Sequence, residues 1–395
     1  MDIPLLFTTV HLHGAALFNF IVAIAMFLVA VTSPFMGAFS DSLAAKKRFL
    51  AVYLSLGVFS TAMLATIHEG DWLSGAVWFI LADIGFAGGN VFYNAFLKEL
   101  ASPGEMGKVS GWGWGIGYLG GGLLLALNLV MLQAPQLIGF AKGFFTVQHT
   151  FLSVAVWWGM FSIPLLVKIR DRSSFYKSRE PGVVDALHRL IRTFREVRKF
   201  RQLWKFLTAY LLFNDGIETV IIMASIFGAL ELGMNQSLLI SFFLLIQFTA
   251  FCGSLLFGRL TIGLGNKRTL LLTLFIWCAV VISAYFIGWS GSPVREYFII
   301  GIAAGIVMGA SQSLARGLQG EFTPKGREAE FFGFFAVSGR FASLFGPLTY
   351  GLVVALTGSL RAGILSLIFF FIIGIIILYG VDEEEGKRVA ETALD

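Results

Sequence analysis

Eleven stretches of mostly apolar residues alternate with short polar loops along the chain, at 14–38, 49–67, 72–97, 109–133, 148–168, 203–229, 236–257, 268–289, 296–316, 331–357 and 362–380. Each is close to the roughly 20 residues that a helix needs to cross a bilayer. Two of them, 72–97 and 203–229, carry polar residues inside the apolar run. The pattern predicts an all-α, multi-pass membrane protein. Lys and Arg sort by loop. One set of loops carries Lys46, Lys47 and Arg48, then Lys98 and Lys108, the run from Lys168 to Lys205, Arg259, Lys267 and Arg268, Arg316, Lys325 and Arg327, and finally Lys387 and Arg388. The alternate set carries Lys142, Arg295 and Arg361. Cytoplasmic loops hold the excess of basic residues, so the central loop and the C-terminus are predicted to be cytoplasmic. Compact loops point to a bacterial inner (plasma) membrane.

Two loop signatures recur at an offset of 221 residues. Gly88, Leu97 and Pro103 answer Gly309, Leu318 and Pro324; after a one-residue slip Gly111 and Gly117 answer Gly333 and Gly339. Gly37, Lys46 and Lys47 answer Gly258, Lys267 and Arg268. Shared offsets of this kind mark a duplicated half. The first span of the second half then lacks a partner, and residues 3–10, IPLLFTTV, are the expected stub of a truncated first helix; a true eleven-span protein is the alternative. The expected organisation is an N-terminal bundle over 1–168, a cytoplasmic linker over 169–202, a six-helix bundle over 203–381 and a tail over 382–395. Residues 1–13 lack the basic start of a signal peptide.

Composition agrees with the pattern: 57% of residues are hydrophobic and 13% charged, about half the charged share of soluble domains. Cys252 and Cys278 both fall in apolar spans, which gives no disulfide framework. In the linker, Val184, Leu187, Leu190, Ile191, Phe194 and Val197 recur at helical spacing, with Arg189, Arg192, Arg195 and Arg198 on another face. That predicts an amphipathic helix at the membrane surface or packed on the bundle. A nucleic-acid role does not fit this setting.

Ionisable groups within spans are costly and are functional candidates by default. Asp83, Asp215, Glu218 and Arg340 qualify. Asp83, Ala87, Asn90 and Asn94 share one helical face, with Tyr93 beside it. Asn214, Asp215, Glu218 and Thr219 cluster in LLFNDGIETVIIM; two carboxylates so close in low dielectric resist joint ionisation, as a proton-coupling site requires. Gly301, Gly305, Gly309, Gln312 and Arg316 form a small-then-polar stripe. Arg340 needs an anionic partner from the protein or from a solute, and Asp83 ranks below the others because it lies nearer the outer end. Substrate or proton-coupling candidates are Asp215, Glu218, Asn214, Thr219, Asn90, Asn94, Tyr93, Gln312 and Arg340. GIGYLG at 115–120 matches a dinucleotide fingerprint, but that motif has meaning only between a strand and a helix; here its glycines serve helix packing. No metal-ligand cluster, cofactor motif or catalytic constellation stands out, so an enzyme is not expected.

SPFMGAFSD at 33–41 followed by Lys46, Lys47 and Arg48, YNAFLKELA at 93–101, SGWGWGIGYLGGGLLL at 110–125, LLFNDGIETVI at 211–221, GASQSLARGL at 309–318, PKGREAEFFGF at 324–334 and SGRFASLFGP at 338–347 resemble the major facilitator superfamily. More narrowly they are similar to its vacuole-effluxer-like branch, named for an autophagy-related fungal amino-acid exporter with many bacterial relatives. The resemblance covers nearly the whole chain from about residue 14. Two features depart from it: the family's first helix is absent, and Ile262 stands where a loop Asp is expected. The resemblance implies a major facilitator fold, two pseudo-symmetric six-helix bundles around a central cavity, working by alternating access. It implies that 72–97, 203–229 and 296–316 line the cavity, and that Asp41, Lys46, Lys47, Arg48 and Arg316 are gating candidates. The implied function is secondary active transport of a small polar metabolite, amino acids foremost, with protons as the candidate coupling ion. Exporters of sugars, drugs or other metabolites, and a non-transporting receptor or scaffold, are the alternatives.

Overall fold

The computed structural model describes residues 2–5, 8–11, 14–102, 104–169, 183–196 and 199–393. Strand β1 (Asp2–Leu5) pairs antiparallel with β2 (Thr8–His11), Asp2 opposite His11. The helical stub expected over 3–10 is thus replaced by a hairpin in its described part. Pro4 cannot donate to a helical ladder, and Thr8, Thr9 and Val10 are β-branched residues that suit a strand.

Beyond the hairpin the described residues are helical or connecting. The first half contains α1 (Gly14–Leu43), α2 (Lys46–Met63), α3 (Trp72–Ala95), the short α4 (Leu97–Leu100), α5 (Met106–Gln133) and α6 (Val147–Lys168). After α7 (Val183–Arg195) come α8 (Arg201–Leu230), α9 (Gln236–Leu264), α10 (Asn266–Tyr285) and α11 (Pro293–Glu321). The chain continues through α12 (Glu328–Phe341), α13 (Phe345–Thr357), α14 (Leu360–Ser366), α15 (Ile368–Tyr379) and α16 (Glu383–Thr392). Eleven segments are long and apolar enough to cross a membrane, α12–α13 and α14–α15 each counting as one. The predicted continuous span 331–357 is therefore broken. Pro347 explains the break, because its ring would clash with the carbonyl four residues earlier.

The halves meet along two seams, α1 against α12 and α5 against α9. At the 221-residue offset α1 maps onto α9 and α5 onto α12–α13, so each seam is the image of the other. Gly37 lies where a Cβ would run into the Ala329 carbonyl, and the nearest atom to a Cβ on Gly258 would be the Gly107 carbonyl oxygen at 3.1 Å. Small residues at these points let the backbones approach. Within the second half, Gly253 meets the Ile306 backbone and Gly309 the Ala250 carbonyl. The glycines of the small-then-polar stripe thus serve the α9–α11 crossing, while Gln312 and Arg316 turn to α5.

At the end where the basic loops gather, the basic end, the two seams are latched differently. In the first, the buried Asp41 carboxylate accepts from the backbone N–H groups of Ala329 (3.3 Å) and Glu330 (2.9 Å). A carboxylate of one half thus caps the helix N-terminus of the other, where unpaired N–H groups and the dipole both favour an anion. Lys46, 1% exposed, bridges Glu99 and Glu328, the latter at 3.1 Å. Of the other gating candidates, Lys47 donates to the Ile169 carbonyl at 2.8 Å and Arg48 is exposed. In the second seam Ile262, at the position answering Asp41, is exposed and supplies no cap.

Two further helices close the basic end. In α7, Thr193 is buried and hydrogen-bonds with Glu330 and Arg327, while Val184, Leu187 and Ile191 are exposed. One face therefore packs on the bundle, and of the predicted apolar stripe Leu190 packs against the core while Val184, Leu187 and Ile191 face outward; Val197, Arg198 and the side chains of Arg189 and Phe194 lie outside the described residues, as does Pro103. Helix α16 docks through Lys387, which reaches Glu383 at 2.9 Å and Glu321 at 3.6 Å. Burial works to lower the Lys387 pKa, but its hydrogen bond to Glu383 and the charge of Glu321 outweigh that and hold it above the usual lysine value.

Candidate functional site

A line of polar side chains crosses from one half to the other between the seams. Tyr118 on α5 donates to Gln312 on α11, and Gln312 donates to Glu218 on α8 at 3.4 Å. Arg340 on α12 lies near enough for its charge to act on Glu218. Arg340 in turn pairs with Asp83 on α3 at 3.3 Å, a little over a fifth of each side chain remaining exposed. Arg340 lies 12 residues into α12, which at 1.5 Å per residue is about 18 Å from the basic end, near the middle of a bilayer of about 30 Å. The first half thus supplies the two ends of one mid-membrane line, Tyr118 and Asp83, and the second half supplies its middle.

Below it, toward the basic end, Arg316 is 4% exposed. It donates through Nε to Ser110 Oγ (2.8 Å), through Nη2 to the Ser110 carbonyl (3.0 Å) and through Nη1 to Asn94 Oδ1 (3.2 Å). Its guanidinium lies 5.4 Å from the Tyr93 ring centre and 6.0 Å from that of Trp114. Gln312 and Arg316 are one turn apart on α11, so they share a face. Opposite them Ser110, Trp114 and Tyr118 repeat every fourth residue along α5.

The sequence candidates fall into three groups. Glu218, Gln312 and Arg340 belong to this line, and Asn94 and Tyr93 stand below it around Arg316, which was expected at a gate and makes no ion pair among the described residues. The side chain of Asn90, half-buried on the Asp83–Asn94 face, makes no hydrogen bond among the described residues. Asp215, Asn214 and Thr219 are all buried. Asp215 is occupied elsewhere: its two oxygens accept from the N–H groups of Phe345 (3.0 Å) and Gly346 (2.9 Å), the donors freed by the break before α13. Thr219 packs beside it against Gly346. Asp83, ranked lowest from sequence, is the partner that Arg340 needed. Trp114 and Tyr118 were missed; the signal was present, two aromatics at i and i+4 inside a glycine-rich run.

Capping of this kind gives a stability prediction. Asp215→Ala leaves two N–H donors at a buried helix start and is expected to cost about 3 kcal/mol, read as a lower melting temperature in detergent. An unchanged melting temperature would mean that the break is held by other contacts.

Helical halves related by a repeat, with a polar line between them at mid-membrane depth, form the fold of MFS transporters, and known proteins agree. The chain superposes on the proton:xylose symporter XylE bound to 6-bromo-6-deoxy-D-glucose with a TM-score of 0.74, covering 97% of this chain and 90% of that one at 14% identity. It superposes on the MFS transporter FucP in its outward conformation with a TM-score of 0.68, covering 95% and 91% at 14% identity. In sequence it is 33% identical over 386 residues to the MFS-type transporter YxiO of Bacillus subtilis (strain 168), covering 97% of this chain and 88% of that protein. It is 23% identical over 380 residues to autophagy-related protein 22 of Kluyveromyces lactis, covering 89% and 75%. The chain belongs to the vacuole effluxer Atg22-like family, whose model matches residues 3–391.

Proposed function

We propose that the chain is a secondary active transporter that moves a small polar metabolite, amino acids foremost, by alternating access, with protons as the coupling ion. The observation that carries this reading is the line Tyr118–Gln312–Glu218 with Arg340 and Asp83 beside it. Its two ends, Tyr118 and Asp83, belong to the first half and its middle, Gln312, Glu218 and Arg340, to the second, so rocking one half against the other changes the surroundings of Glu218 through Gln312 and Arg340. A carboxylate so placed can take a solute's amine or a proton in one state and release it in the other. The basic end faces the cytoplasm of a bacterial cell, by the excess of Lys and Arg in its loops. That end is held closed in this structure by Asp41, Lys46 and Glu328, while Asp83 and Arg340 keep about a fifth of their side chains exposed.

The test is uptake and counterflow of an amino-acid panel in proteoliposomes, with and without an imposed pH gradient, for the wild type and Glu218→Gln. We expect gradient-dependent transport that Glu218→Gln lowers at least tenfold, about the effect of losing one charge-assisted contact, with the residual rate no longer responding to the gradient. Wild-type rates and an unchanged gradient response in Glu218→Gln would remove Glu218 from the mechanism. Transport of sugars or drugs in place of amino acids would replace the substrate class.

A further inference from the structure

We infer that Arg316 and Trp114 form a carboxylate-binding subsite that also straps the two halves together, so that a solute's carboxylate is both recognised and made to loosen the strap. This rests on the reading of the chain as a solute transporter. Arg316 differs from the other two buried cations among the described residues. Lys46 has Glu99 and Glu328 and Arg327 has Glu330, and the half-buried Arg340 has Asp83. Arg316 has a hydroxyl, a backbone carbonyl, an amide oxygen and two aromatic rings, and no carboxylate within ion-pair distance among the described residues. A guanidinium is never deprotonated in a protein, so its charge has to be carried in this buried place. Neutral dipoles and ring faces lessen the cost of a buried unpaired ion but do not cancel its charge.

A second observation at the same place points to a ligand. The indole Nε1–H of Trp114 is buried and has no acceptor among the described residues, although buried donors nearly always find one. An anion seated on Arg316 beside the Trp114 ring would supply that acceptor. The planar fork of Arg favours a carboxylate, which can take two parallel N–H bonds. One turn farther along α11, Gln312 leads to Glu218, which leaves an acidic group for the far end of a zwitterion.

The strap follows from where the present acceptors sit. Ser110 and Asn94 belong to the first half and Arg316 to the second, separated in sequence by 206 and 222 residues. A carboxylate that takes two of the guanidinium donors withdraws them from Ser110 or Asn94. Occupation of the site therefore weakens the α5–α11 contact near the basic end, at the seam where Ile262 leaves no acidic cap.

The experiment compares each free amino acid with its amide and its N-acetyl derivative, as ligands in thermal-shift titrations of the purified full chain and as solutes in proteoliposomes. Free acids are expected to raise the melting temperature of the wild type and amides are not. Arg316→Gln is expected to weaken acid binding on the order of 100-fold, and Arg316→Lys, which keeps the charge and loses the fork, by roughly tenfold. Trp114→Phe, which keeps a ring and loses the donor, is expected to weaken it about fivefold. Amides that bind as well as acids, or an acid response retained in Arg316→Gln and Arg316→Lys, would overturn the subsite. Should Arg316→Gln fail to fold, the lysine and Trp114→Phe variants decide. Transport of a carboxylate-free solute with no acid response also overturns the subsite while leaving the transporter reading in place. An acid response that depends on Arg316, in a chain that moves no solute, supports the subsite and sinks the transporter reading.

Discussion

Replacing Lys46 by methionine is expected to lower the stability of the chain by about 3–5 kcal/mol, the cost of removing one partner from a buried ion pair. Lys46 is 1% exposed and bridges Glu99, on α4, to Glu328 at the start of α12. Methionine fills similar space but strips Glu328 of a cation it cannot replace from water. Glu328 is itself buried, and it also accepts from the Gly326 backbone N–H at 3.0 Å. The same reasoning predicts a partial rescue: Lys46→Met with Glu328→Gln should regain much of the loss, because the uncompensated charge goes with the lysine. The check is thermal unfolding of the two single variants and the double variant in detergent, read as a double-mutant cycle. Additive losses, with no rescue, would show that the pair is not an energetic unit. A rescue to wild-type stability with lost transport would separate the latch from the fold.

Gly37→Leu and Gly253→Leu are expected to fail in opposite ways, although both glycines sit where a Cβ would collide with backbone. Gly37 faces the Ala329 carbonyl across the first seam, between halves that the proposed mechanism separates. A side chain there wedges the basic end open and leaves each half intact. Gly253 faces the Ile306 backbone inside the second half, where α9 and α11 have no alternative arrangement. A side chain there is expected to cost on the order of 3 kcal/mol or more, at the upper end of overpacking effects. The measurement is labelling of Ser40→Cys by an impermeant maleimide in a background without Cys252 and Cys278. Ser40 is fully buried beside the first seam. Gly37→Leu should raise its labelling about tenfold, the population shift that about 1.4 kcal/mol produces, at near-normal melting temperature. Gly253→Leu should lower yield and melting temperature instead. Equal destabilisation by both would mean that the first seam does not open.

What the sequence by itself determined is the set of helices, the duplication and the sorting of charge. A segment in lipid has to satisfy its own backbone hydrogen bonds, so length and apolarity define a span locally, without reference to any neighbour. The repeat was legible for a related reason: Gly37 and Gly258, or Gly111 and Gly333, meet the same packing demand twice. The vacuole-effluxer-like membership was readable from motifs such as GASQSLARGL and SGRFASLFGP. Even the start of α13 left a trace in Gly346 and Pro347.

Only the tertiary structure decided which polar group meets which. Asp83 and Arg340 are 257 residues apart, and helical periodicity places a residue on a face without saying which helix that face meets. For the same reason Asp215 and Glu218, three residues apart on α8, separate into a helix cap and a member of the mid-membrane line. One meets the broken start of α13 and the other meets Gln312. Arg316 is the sharpest case. Its charge was visible in the chain, but its surroundings, which hold no carboxylate among the described residues, exist only once α3, α5 and α11 are packed together. An interaction between helices belongs to neither sequence segment alone, so the candidates could be named beforehand but their partners could not.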